Sequence, residues 1–352
     1  MMTSKDYSKR LTNLKTRRKD QELVKKAFSE GTYQYLTESY EVLQESDTIK
    51  YVIGAMMPVS ETYTQNTYEQ GERVKSQLLK NLDSAYNVKF EYQGSVTNNT
   101  HIKAHSDIDI LTLHGWFYTL QHPLKPVSPY KGDTVQDLLN LRQNCFKILT
   151  NAYPTAEVDD SGAKSISIKG GSLTRKIDVV PSSWYNTVLY DETKLPYYRG
   201  VSILDAKNKI LIENTPFYHN KLLEVKDNLS ANNYKKVVRL LKTLKADAEN
   251  DIELSSYDLA SLMYHMEDAK YVVGYSPLLL LENSINYLIF LNENSSYRNS
   301  LQVPDKSRNI FVQNGASKTA LKLMIDELVT IYSDILDELK INGTKINKRI
   351  VA

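Results

Sequence analysis

Cysteine is nearly missing from this chain: Cys145 is the one thiol in 352 residues. A single thiol excludes a disulfide within the chain and any zinc site built on cysteines. None of the six histidines forms an HExxH motif, which removes the commonest signature of a zinc hydrolase. Long apolar runs are missing too. The best candidate, around residues 277–291, is interrupted by Glu282, Asn283, Ser284 and Asn286, well short of the roughly 20 apolar residues a membrane span needs. The N-terminus, MMTSKDYSKRLTNLKTRRKD, has no apolar stretch of the kind that marks a secretory signal. A cytoplasmic protein with no membrane association is therefore expected. An excess of charge of one sign is missing as well. A net charge of +2 argues against a protein built all over to bind polyanions and leaves no strong nucleic-acid-binding signature. No internal repeat or low-complexity tract stands out.

What is present is the composition of an ordinary globular protein, 41% apolar and 24% charged, long enough for two lobes. Residues 20–45 carry Leu23, Val24, Ala27, Phe28, Tyr35, Leu36 and Val42, and residues 71–82 place Val74, Leu78 and Leu79 on one face. Both read as helix. At Val88, Phe90 and Tyr92 the period changes to two, a half-buried strand that runs into Gly94-Ser95. Residues 108–113 are a second run of strand length, and Pro123, Pro126 and Pro129 mark an exposed loop. Residues 133–153 form a helix that Asp133 or Thr134 can cap and that Pro154 stops. Residues 166–168 and 176–180 flank Gly170-Gly171 as a hairpin, and residues 201–205 and 210–213 suggest another. After Pro216 the pattern is helical, over residues 234–248, 255–266, 277–291 and 317–339. The expected architecture is α+β: a mixed α/β lobe over residues 1–215, including the N-terminal helices, then an all-helical lobe over residues 216–352. The basic run 340–352 lacks an apolar stripe and reads as a mobile tail.

The chemistry is concentrated in GSVTNNTHIKAHSDIDILTL, where Gly94-Ser95 precedes Asp107-Ile108-Asp109 by eleven residues. Two carboxylates at i and i+2 on a strand point to one face, while Ile108 and Ile110 point to the other. On an open surface such a pair is a crowded, solvated edge; around Mg²⁺ it is a set of oxygen ligands. Asp178, in Lys-Ile-Asp-Val-Val, has the same setting on a later strand. If the two strands are neighbours, Asp107, Asp109 and Asp178 can hold two Mg²⁺ (or Mn²⁺) ions on a nucleoside triphosphate. One ion would activate an attacking hydroxyl and the other would stabilise the leaving pyrophosphate, with Asp178 on the hydroxyl side as ligand and base. Gly94 lets the backbone approach a phosphate, and the Ser95 hydroxyl with adjacent N–H groups can cradle the β- and γ-phosphates.

These residues resemble the DNA polymerase β-like nucleotidyltransferase superfamily: a Gly-Ser turn, a paired acidic motif and a third acidic strand. Within it the chain is most similar to the cGAS/DncV-like nucleotidyltransferases of bacterial anti-phage systems. The resemblance is carried by Thr100-His101-Ile102 ahead of Ser106-Asp107-Ile108-Asp109, by the Asp178-Val179-Val180-Pro181 strand end, and by the helical C-terminal half. It implies a polymerase β-like catalytic lobe and a helical lobe that closes the nucleotide cleft. It further implies that Arg239 or Lys242, on an amphipathic helix with its bases on the polar side, contacts phosphate. Ser256 would bind the phosphate tail and Tyr257 would stack on a base. The residues themselves place Ser255 at a helix start with Asp258 as the acidic end of a capping box. A plainer reading makes Arg239 and Lys242 a solvated helix face and Ser255 only a cap. Related systems also suggest a regulatory protein acting on the C-terminal tail.

The implied activity is the joining of nucleoside triphosphates into a cyclic oligonucleotide messenger. The alternatives are nucleotidyl transfer to an RNA 3′ end or a protein hydroxyl, as in toxin modules, and a catalytically silent scaffold. Two smaller features complete the reading. Tyr197-Tyr198-Arg199-Gly200 reads as a packed loop rather than an acceptor pocket, and His101 and His105 as lining a solvated loop.

Overall fold

The computed structural model describes residues 6–18, 38–102, 107–274, 276–312 and 315–341. It divides into two compact units, one of Ser60–Asn99 and Ser106–Glu224, the other of Met1–Val59, Thr100–His105 and Val225–Ala352.

The first unit is built on one mixed seven-stranded sheet. Its strands are β1 (Lys89–Gln93), β2 (Ile108–Leu120), β3 (Glu157–Asp159), β4 (Ile166–Gly170), β5 (Leu173–Asn186), β6 (Gly200–Asp205) and β7 (Ile210–Asn214). The order β1-β2-β5-β4-β3 has one parallel pairing, β2 with β5, while β6 pairs the far end of β5 and then β7. The expected strands and both expected hairpins are therefore present. The surprise is length. β2 continues to Leu120, past an irregularity between His114 and Tyr118, so its second half was not visible as an apolar run.

Alternation assigns each strand two faces. Ile108, Ile110, Ile166, Ile168, Ile177 and Val179 lie buried with Val74 and Leu78 of the helix Glu61–Asn81 and with Leu138, Leu141, Cys145 and Leu149 of the helix Thr134–Ala152. Each such aliphatic side chain contributes about 1.5–3 kcal/mol on burial. Asp133 caps the second helix, its Oδ1 accepting from Val135 and Gln136 N–H at 3.0 Å each. Cys145 is fully buried there, and burial pushes its thiol up to about 12. The opposite face buries Leu111, Leu113, Val180, Val201 and Ile203.

The second unit is helical. Its main helices are Tyr7–Arg18, Asp47–Met56, Tyr234–Asp247, Ser256–Tyr264, Pro277–Glu293 and Lys318–Ile341. The sequence placed the N-terminal helices with the catalytic lobe, but they pack with this unit. The reason is a set of ion pairs and hydrogen bonds between distant residues. Arg10 reaches Glu327 at 2.9 Å, Arg17 grips Asp247 with two nitrogens, and Ser46 and Thr48 donate to Glu338 at 2.5 and 2.6 Å. Likewise the division expected at 215/216 falls at 224/225, inside the helix Pro216–Leu229. The helix read over residues 20–45 lies outside the described residues from 19 to 37, and Ser39–Val42 is a 3₁₀ turn. The basic tail beyond residue 341 also lies outside them. No described helix is long and apolar enough to cross a membrane.

Candidate active site

The parallel pairing of β2 and β5 sets Asp109 directly opposite Asp178. Because side chains alternate along a strand, both carboxylates leave the sheet on the face of Leu111, Leu113 and Val180, while Ile108, Ile110, Ile177 and Val179 anchor the other face. Asp107 stands just before β2, two residues ahead of Asp109, and is exposed. The sequence left open whether the two strands would be neighbours; the register sets Asp109 opposite Asp178, and Asp107 joins Asp178 only through Lys176.

A cation already sits among them. The Lys176 ammonium donates to Asp107 Oδ2 and to Asp178 Oδ2, each at 2.8 Å. Burial works against that charge, but its hydrogen bonds to Asp107 and Asp178 hold the ammonium pKa above the usual lysine range. Ser165 Oγ donates to Asp178 Oδ1 at 3.3 Å. Asp109 is pushed up to about 7, first by burial and then by the charges of Asp178 and Asp107, with Lys176 opposing. Among the described residues no three His, Cys, Asp or Glu side chains are grouped as a ready metal site. The donors are nevertheless of the kind a hard divalent cation takes: Asp109 and Asp178 stand opposite each other on paired strands, and Lys176 links Asp178 to Asp107.

β1 delivers the turn that follows. Gln93 pairs with Asp109, so the next residue, Gly94, emerges beside that carboxylate. Gly94 has φ +90°, and a Cβ placed on it would stand 2.8 Å from Asp109 Oδ2. Glycine is needed here twice, for the backbone angle and for the approach. The turn closes with Thr97 N–H and Thr97 Oγ1 both donating to Gly94 O, at 3.2 and 2.7 Å. Asn220 braces it, donating to Thr97 Oγ1 at 2.8 Å and accepting from Asn98 at 3.0 Å. Ser95 lies in this turn, partly exposed.

Arg239, Lys242, Ser256 and Tyr257 belong to the helical unit. Arg239 and Lys242 do not form the polar side of an amphipathic helix; each is 5% exposed. From Val237 to Leu244 that helix is buried all round. Arg239 Nε donates to Met56 O at 2.9 Å and Lys242 Nζ to Thr100 O at 2.8 Å. Burial lowers Arg239 to about 10, and burial together with Arg239 lowers Lys242 to about 8. Ser256 is exposed at the first turn of its helix, and Tyr257 is half-buried with the Arg308 guanidinium 5.4 Å from its ring centroid. Ser255 is the expected cap, accepting from Asp258 N–H at 2.9 Å. The capping box does not close, because the Asp258 carboxylate takes Ser255 Oγ–H and Arg308 instead.

Comparison with known proteins decides the family. Residues 221–333 match the cGAS/DncV-like nucleotidyltransferase C-terminal helical domain. A cyclic dinucleotide synthase CdnE from Yersinia aleksiciae is 39% identical over 84% of this chain and 80% of its own length. A c-di-GMP synthase from Capnocytophaga granulosa is 31% identical over 95% of this chain and 99% of its own. The solved structure of a STING-associated CdnE c-di-GMP synthase from the same organism superposes with a TM-score of 0.74, at 30% identity, over 95% of this chain and 100% of that one. The chain belongs to the cGAS/DncV-like nucleotidyltransferases. It is an enzyme of the class that builds cyclic oligonucleotides, on a polymerase β-like fold with a C-terminal helical domain.

For this nucleotidyltransferase, sequence reasoning overlooked Lys176 and Asn220. Lys176 was findable: it stands two residues before Asp178, so on a strand the two share a face. Asn220 gave no signal, since nothing local ties an asparagine inside a helix to a turn at Thr97. Tyr197-Tyr198-Arg199 is the packed loop it was read to be, with the Arg199 guanidinium 4.3 Å from the Trp184 ring and 5.1 Å from that of Tyr190. His101 is buried, not solvent-lining as expected, and His105 lies outside the described residues, as does Ser106.

Proposed function

We propose that this chain is a divalent-metal-dependent cyclic dinucleotide synthase that joins two nucleoside triphosphates, acting as a cytoplasmic enzyme in anti-phage signalling. The observation that carries the catalytic part is the β2–β5 register, with Asp109 opposite Asp178 and Gly94 against Asp109. Asp107, Asp109 and Asp178 hold Mg²⁺ or Mn²⁺, which when bound lowers the pKa of the attacking hydroxyl and neutralises charge on the departing pyrophosphate. Gly94 and Ser95 offer backbone N–H and hydroxyl donors to the triphosphate from a turn already fixed by Thr97 and Asn220. Asp178 accepts the proton of the attacking hydroxyl.

Contacts of Arg239 or Lys242 with phosphate, and of Ser256 and Tyr257 with the nucleotide, rest on the family resemblance alone, since Arg239 and Lys242 are buried on the carbonyls of Met56 and Thr100. Relatives that are c-di-GMP synthases make GTP the first substrate to try. The defence role is supported by the STING association of one relative. Incubation with labelled nucleoside triphosphates and Mg²⁺ or Mn²⁺ should give a small product that resists phosphatase. Asp178→Asn should lower its formation by a factor on the order of 10³ or more. Transfer of label to added RNA or protein, with no such small product, would overturn the reading.

A further inference from the structure

We infer that Lys176 is a built-in stand-in for the divalent cation: its ammonium keeps Asp107 and Asp178 converged until a metal displaces it. This rests on the carboxylate corner being the metal site. Like charges at one corner repel, and three carboxylates on adjoining strands would splay apart unless a positive group lay between them. Lys176 is on β5 two residues before Asp178, so strand alternation points both side chains to the same face. The ammonium meets two different carboxylates at 2.8 Å, one contributed by its own strand and one by the residue just before the neighbouring strand. It thus fixes the spacing between two groups that β-sheet hydrogen bonding alone does not fix, because Asp107 lies just outside β2.

The lysine can also leave. Its side chain is 37% exposed and Asp107's is 42% exposed, so withdrawal opens the site toward solvent without disturbing the core. A metal ion bound to the same oxygens would stand within a few ångströms of the ammonium, and two cations so close repel. Metal and lysine are therefore competitors for Asp107 Oδ2 and Asp178 Oδ2. Lys176 is a positioning residue: it acts through the carboxylates, lowers intrinsic metal affinity, and in exchange spares the metal the cost of assembling its ligands. Metal delivered together with the nucleotide's phosphates is favoured over metal alone.

The test is Mn²⁺ binding without nucleotide, read from the electron paramagnetic resonance of free Mn²⁺, alongside thermal melts in chelator. Wild type, Lys176→Gln, Lys176→Arg and Asp109→Asn are compared. Lys176→Gln should bind Mn²⁺ more tightly by about tenfold and should melt lower than wild type in chelator, the difference closing when Mn²⁺ is added. Lys176→Arg, which keeps a cation at the position, should resemble wild type. If wild type takes up Mn²⁺ and Lys176→Gln binds no tighter, the competition is overturned while the metal site stands. If neither wild type nor Lys176→Gln binds more Mn²⁺ than Asp109→Asn, the metal site itself falls, and the role of Lys176 with it.

Discussion

The carboxylate corner and the basic positions of the helical unit were read from the same sequence by the same kind of argument, and they turned out differently. At the corner, two-residue alternation and one parallel register fix where every side chain points, so Asp109 and Asp178 meet as expected. In the helix Tyr234–Asp247, periodicity assigned Arg239 and Lys242 to the polar side, yet both are buried and bonded to backbone carbonyls of Met56 and Thr100. The difference is physical. A charge on a strand edge is placed by its neighbours two residues away. A long cationic side chain on a helix can instead be covered from outside, by any segment that offers a carbonyl, and no local pattern announces that segment.

Both regions hold ionisable groups away from their ordinary titration range, and the largest expected effect tests the corner. Asp109 is raised to about 7 by burial and by two neighbouring carboxylates. Between roughly pH 4 and pH 7 the folded protein then keeps a proton that the unfolded chain has released, so stability falls as pH rises through that window. Above pH 7 the cost reaches up to about 4 kcal/mol. Asp109→Asn removes it. In chelator the variant should be more stable than wild type in denaturant melts at pH 8 and about equal at pH 4, while its synthase activity is abolished. A variant no more stable than wild type at pH 8 would mean that the corner is not strained by its charges.

Lys242 supplies the matching test in the helical unit, with the opposite sign. Its folded pKa of about 8 lies below the ordinary lysine value. Between about pH 8 and pH 10.5 the unfolded chain holds the proton that the folded protein has given up, so stability rises with pH there. Wild type should gain about 2 kcal/mol from pH 8 to pH 9.5 on this account, and Lys242→Met should not. Urea titrations of both proteins at the two pH values measure the difference. Equal gains would show that the Lys242 ammonium is better hydrated than its 5% exposure suggests.

How much was legible follows from the same contrast. The Gly94-Ser95 turn, the Asp107–Asp109 pair, the Asp178 strand, both hairpins and the four C-terminal helices were read from local period and turn chemistry. The second half of β2 was hidden by the irregularity at His114 to Tyr118, which breaks the alternation. The N-terminal helices were assigned to the wrong neighbours because Arg10–Glu327 and Arg17–Asp247 tie them to residues more than 200 positions away, and ion pairs leave no periodic trace. Lys176 was readable by parity with Asp178. In the sequence a lysine beside three aspartates is indistinguishable from ordinary surface charge; its role lies in two 2.8 Å contacts that only the fold supplies.

The smallest expected effect bears on a residue that belongs to neither category. Asn220 is on a helix, far along the chain from the Gly-Ser turn, yet its amide ties Thr97 and Asn98 together at 2.8 and 3.0 Å. These bonds are only part-buried, so Asn220→Ala should cost about 1 kcal/mol of stability, in line with two solvent-accessible neutral hydrogen bonds. Its functional effect should be selective. If, as proposed, the turn's donors hold the triphosphate alike in ground and transition states, loosening them should raise KM with kcat nearly unchanged. A several-fold rise in KM for the nucleotide, with kcat within about twofold of wild type, is the expected outcome of steady-state kinetics. A fall in kcat at constant KM would instead mean that Asn220 reaches the reacting groups through Gly94 and Asp109. The turn and the carboxylates would then act as one element rather than as a phosphate cradle beside a metal site.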